Sequence, residues 1–182
     1  MALTTVRPQG MGFNTGRRNL IINGAMQVSQ RGTDINTLTN GSIGADRFKT
    51  VIANIDDLAM DYDQSTDVPS GSGFANSLKL SVASAEGAIA ADEYVSFGQR
   101  IEAQNLQHLK YGTSSGEKIT LSFHVKSSVT GTYAISIFQQ DASSSPDRRY
   151  HSKTYTISSA NTWEYKTITI DPNTDDAIAN DT

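Results

Sequence analysis

Residues 118–126 constrain this fold more than any other stretch. Ile119, Leu121, Phe123 and Val125 alternate with Thr120, Ser122, His124 and Lys126. A period of two puts the apolar set on one face and the polar set on the other, the mark of a strand with one buried side. After a turn through Thr130 and Gly131 the alternation resumes with Tyr133, Ile135 and Ile137 inward, the expected partner strand.

The same period recurs along the chain. Leu20, Ile22, Met26 and Val28 share one parity and predict an opening strand over 19–29. Strands follow at 47–55, 57–62, 77–82 and 94–101, the last two carrying Leu78, Leu80 and Val82, then Val95, Phe97 and Ile101. Residues 150–157 and 162–170 close the series. In the final strand Trp163 and Tyr165 are out of phase with Ile168 and Ile170, and a bulge near Lys166 would bring all four inward. One short helix fits 103–110, with Leu106 and Leu109 on one side. Loops lie at 31–46, 65–75 and 143–147. Nine or ten short strands with turn signals at regular intervals predict an all-β fold: an antiparallel two-sheet jelly-roll sandwich over 19–182.

Residues 1–18 carry Pro8, Gly10, Gly12 and Gly16 without periodicity, and read as an extended arm. Such a segment either frays or orders against a partner, with Leu3, Val6, Met11 and Phe13 as its apolar anchor points. A sandwich of these strands would want one more strand after the polar residues 175–182, so the native chain is expected to continue past Thr182.

Composition removes several functions. The net charge of −4 and the short basic pairs Arg17-Arg18 and Arg148-Arg149 do not suit a phosphate-tracking surface, so no nucleic-acid partner is expected. Without cysteine there is no disulfide framework, thiolate nucleophile or cysteine zinc site. No apolar run approaches the roughly 18–20 residues of a membrane helix, so no insertion is expected. The 21 Ser and 19 Thr lie mostly in alternating segments and turns, which suits a solvated β surface.

No motif reads as catalytic. Gly112-Thr113-Ser114-Ser115-Gly116 spells a nucleophile elbow, but an elbow needs a strand before it and a helix after it, and here the order is reversed. Asp61, Asp63 and Asp67 space oxygen ligands as a calcium loop begins. Thr66 and Ser72 then stand where such a loop needs its Gly and its bidentate Glu, and a solvated acidic strand end is the competing reading. His108, His124 and His151 lack metal-ligand spacing. Tyr94 and Phe138 fall on outward parity, and Tyr111 and Tyr150 sit at strand ends. These four are the candidates for stacking on a glycan.

Three segments together resemble known sandwiches: 19–24, the pair 116–126 with 130–137, and 153–157 followed by 161–170. Their order resembles the jelly-roll carbohydrate-binding modules of families four and nine. With Ala45-Asp46-Arg47-Phe48 and residues 99–106 added, the pattern over 17–172 resembles structural proteins of marine and cyanobacterial phages. The resemblance implies a non-enzymatic virion component made in the host cytoplasm: a tail or head fibre, or a capsid decoration or cement protein. It would attach through the arm to capsid, portal, adaptor or tail proteins. It further implies a homotrimer and contact with host-surface glycan. The alternative is a glycan-binding module of a polysaccharide-acting enzyme. Ala25 and Gln27 stand where such modules place acidic calcium ligands, so no cofactor is expected.

Overall fold

The structure is a computed structural model and describes residues 19–42, 44–139, 149–174 and 178, without the side chain of Arg149. It is all-β. The strands are β1 (Asp34–Ile35), β2 (Phe48–Ala53), β3 (Ala59–Ser65), β4 (Ser77–Ser84), β5 (Tyr94–Gln99), β6 (Ile119–Val125), β7 (Gly131–Gln139), β8 (Arg149–Ile157) and β9 (Glu164–Ile170). All pairings are antiparallel: β1-β3-β4, β2-β5, β6-β9 and β7-β8. Among the described residues no helix is long and apolar enough to cross a membrane.

The chain forms two compact units. One takes the described residues up to Ser65 together with Ser77–Ile101; the other takes Thr66–Asn76 and the described residues from Glu102 onward. Each unit is built on a nest of four strands, with the short β1 added beside β3 in the first. In the first, β2/β5 encloses the β3/β4 hairpin; in the second, β6/β9 encloses β7/β8.

The first unit buries Leu38, Ala45, Phe48 and Tyr62, with Ile52, Leu78, Leu80 and Phe97 packed against them. Phe48 and Phe97 stack at 5.3 Å on the inner face of β2/β5. Tyr62 is 1% exposed, and its hydroxyl lies 3.2 Å from Ser29 Oγ. A Cβ on Gly44 would fall 2.5 Å from the Tyr62 ring, so only glycine lets the loop cross it.

In the second unit the inner faces meet through aromatics. Phe123 of β6 lies edge-on to Tyr155 of β8 at 5.2 Å, and Tyr155 stacks on Tyr133 of β7 at 5.7 Å. Ile157, Ile168 and Ile170 are buried beside them. Burial pushes the Tyr155 phenol up, with Tyr133 adding to the shift.

Four expectations are corrected. Residues 19–29 are not a strand. Asn23 (φ 59) and Met26 (φ 53) turn the chain, and the Met26 N–H donates to the Asn23 carbonyl at 2.9 Å. Asn-Gly is a turn signal, and asparagine accepts positive φ because its side chain bonds the nearby backbone. Here Asn23 Nδ2 donates to the carbonyls of Val28 and Asp46, while the Val28 N–H donates to Asn23 Oδ1. Side-chain amides replace a ladder: Gln99 makes both bonds to the Ile22 backbone, and Gln64 donates to the carbonyls of Met26 and Gln27.

Next, β7 pairs with β8 and not with β6. The connection through Thr130 crosses from one ladder of the second unit to the other. Third, the β6/β9 register runs unbroken from Val125/Glu164 to Ile119/Ile170, so β9 has no bulge near Lys166, and Tyr165 is 61% exposed. Last, the predicted helix is two short 3-10 turns, Ala103–Asn105 and Gln107–Leu109, ended by Lys110 at φ 53. The arm residues Leu3, Val6, Met11 and Phe13, and the loop at 143–147, lie outside the described residues.

Candidate ligand-contact surface

The outward faces of the second unit carry its chemistry. On β7/β8 the register pairs Thr132 with Thr156, Ala134 with Thr154, Ser136 with Ser152, and Phe138 with Tyr150. All eight side chains are exposed. The hydroxyls of Ser136 and Ser152 are 2.7 Å apart. Phe138 and Tyr150 stack at 4.5 Å with 17° between their planes. Two of the four predicted stacking residues therefore form one exposed aromatic platform at the end of a hydroxyl ladder.

The other two stand elsewhere. Tyr94 lies on the first unit, at the rim of an apolar hollow of about 310 Å³ lined by Ile55, Leu58, Val82 and Ile89. Tyr111 is a correction: it is buried, not presented to a ligand. The Gly112 N–H donates to the Asn173 carbonyl, which ties the segment to the chain after β9. Burial pushes the Tyr111 phenol up, and its hydroxyl finds no partner among the described residues.

The outer face of β6/β9 holds a second surface. Thr120 pairs with Thr169, Ser122 with Thr167, and His124 with Tyr165. The hydroxyls of Ser122 and Thr167 hold the Tyr165 phenol below its ordinary value by hydrogen bonding. Tyr165 is 61% exposed on this face. His124 lies 5.0 Å from Tyr165 and meets the edge of Phe74 at 5.9 Å.

Phe74 and Asp67 come from the β3–β4 loop, which belongs to this unit. The loop is a built turn: the Ser72 N–H donates to the Pro69 carbonyl, with Gly71 at φ 73 between them. Asp67 pins its other end. Trp163 Nε1 donates to Asp67 Oδ1 at 3.0 Å, and Lys126 Nζ donates to Oδ2. Lys126 also lies over the Trp163 ring, 5.9 Å from its centre. Its hydrogen bond, followed by that from Trp163, holds the Asp67 carboxyl below the usual range.

The three aspartates do not converge. Asp61 accepts the Thr37 N–H at 2.8 Å, Asp63 pairs with Lys79 at 3.4 Å, and Asp67 belongs to the other unit. Among the described residues no three His, Asp or Glu side chains gather as a metal site. Gly112–Gly116 forms a turn: Gly116 donates to the Thr113 carbonyl and Thr113 Oγ1 to the Lys110 carbonyl.

Outward parity marked Phe138, and its place at a strand end marked Tyr150. Neither signal found the cluster of Phe74, His124, Tyr165 and Trp163. One available signal was the phase break at Trp163 and Tyr165, which a pair of aromatics on the outward face explains as well as a bulge does. No protein-family model, curated protein or solved structure matches this chain.

Proposed function

We propose that this chain is a non-enzymatic structural component of a bacteriophage particle, a fibre or appendage subunit that touches host-surface glycan. The observation that supports it best is on the second unit: the hydroxyl ladder of β6/β9 runs to the exposed Tyr165, which lies tilted against the half-buried His124, with the exposed Phe74 beside it. Monomeric surfaces rarely display grouped apolar rings unless something covers them. Aromatics flanked by fixed polar groups suit a ligand with both CH faces and hydroxyls. The resemblance over 17–172 supports the particle. Residues 1–18 are the proposed attachment arm, docking on neighbouring virion proteins.

The test is mass spectrometry of density-purified particles from a culture producing the chain. Peptides of this chain should band with the particle at low copy number. Hundreds of copies would favour a cement protein, and absence from the particle would refute the reading.

A further inference from the structure

We infer that the outer face of β6/β9, and not the Phe138/Tyr150 platform, is the sugar site, and that its ligand is an uncharged pyranoside. The inference rests on the proposed glycan contact and adds the place and the class of sugar.

Two observations separate the surfaces. Phe138 and Tyr150 stack on each other, and among the described residues of β7/β8 their face continues with Ser and Thr hydroxyls and Ala134. Among the described residues those rings have area but no charged side chain on their face to set a sugar's orientation. The β6/β9 face offers both. Tyr165 is 61% and Phe74 41% exposed, on either side of His124. Beside them, Asp67 and Lys126 are locked together and to Trp163. Aromatic side chains beside a few placed polar groups are what small-ligand sites use to hold and orient a ligand.

The charge decides the class. Asp67 and Lys126 form an ion pair, so the site presents an acceptor and a donor a few ångströms apart with no net charge. An ammonium has three donors, and the bond to Asp67 uses one. Adjacent hydroxyls of a sugar donate and accept together, and match such a pair. An anionic sugar would face the Asp67 carboxylate, and a cationic one Lys126. The polarised CH groups on one side of a pyranose ring suit the negative face of Tyr165. The pinned loop from Asp67 to Phe74 makes the site largely preformed, which lowers the ordering cost of binding.

The test uses the full chain and its single tryptophan, which sits in the site. Neutral gluco-, manno- and galacto-oligosaccharides are titrated while Trp163 emission is followed, with sulfated and uronate-bearing oligosaccharides alongside. At least one neutral sugar should give a saturable change. Tyr165→Ala and Phe74→Ala should each weaken it by about tenfold, equivalent to about 1.4 kcal/mol. Tyr150→Ala should leave it unchanged. Both cluster residues are exposed, so the variants are expected to keep the wild-type circular dichroism. Binding lost in Tyr150→Ala but kept in Tyr165→Ala would overturn the site and leave the glycan reading standing. Preference for the charged sugars would overturn the class. No response from any sugar would overturn both, whether or not the chain is found in particles.

Discussion

Thr50 is 1% exposed, and its Oγ1 meets no partner among the described residues. Its backbone is satisfied: its N–H donates to the Ser42 carbonyl and its own carbonyl accepts from Gly41. The side chain faces Phe97 across β2/β5, between Phe48 and Ile52. A hydroxyl buried without a bond costs about 1–3 kcal/mol relative to water. Valine keeps the branched shape that β2 requires and removes the oxygen. Thr50→Val is therefore expected to raise the unfolding free energy by about 1 kcal/mol. Denaturant titration checks it: the midpoint should rise with an unchanged slope. A fall in the midpoint would mean that the hydroxyl has a native partner.

At the scale of elements, the β6/β9 ladder and the β3–β4 loop are joined by charges that report pH. Asp67 has its folded pKa lowered from 3.8 by the bonds from Lys126 and Trp163. A depressed carboxyl contributes stability that is present above its unfolded pKa and is lost as pH falls through the folded one. Glu164, lowered by Lys166 and by the Ser159 and Ser158 amides, and Asp171, lowered by Lys118, act in the same direction. Asp67→Asn keeps the shape and removes one titrating group. Its stability should lie below wild type at neutral pH, and the two curves should converge as pH falls below 3.8. A constant offset at every pH would show that Asp67 acts by shape alone. How far the fold could be read in advance also belongs to this scale. β6 was legible because its two faces differ in kind at every position, and β7 because Tyr133, Ile135 and Ile137 alternate with Thr132, Ala134 and Ser136. Residues 19–29 were not, because Asn23-Gly24 breaks a run whose parity looks intact. The β6/β9 site was hidden for another reason: Trp163 meets Asp67 from 96 residues away, and no local pattern carries a contact of that range.

Both units are wound alike, and the winding sets an order of assembly. β3/β4 and β7/β8 pair neighbours in sequence, whereas β2/β5 and β6/β9 close around them. Loop closure costs about 0.6 kcal/mol for each doubling of length, so an outer ladder closed first would forfeit on the order of 1 kcal/mol. Forming the inner hairpin first brings the outer strands close and removes that cost. The second unit has a further dependence. It takes Thr66–Asn76 from between β3 and β4, so Asp67 reaches Lys126 and Trp163 only when that loop arrives. Refolding should therefore protect the β3/β4 and β7/β8 amides first and the β2/β5 and β6/β9 amides later, with Trp163 emission reaching its native value last. Pulse-labelled hydrogen exchange with stopped-flow fluorescence measures both. Native Trp163 emission ahead of β7/β8 protection would show that the long-range contact between loop and ladder nucleates the unit, and the nested order would fail.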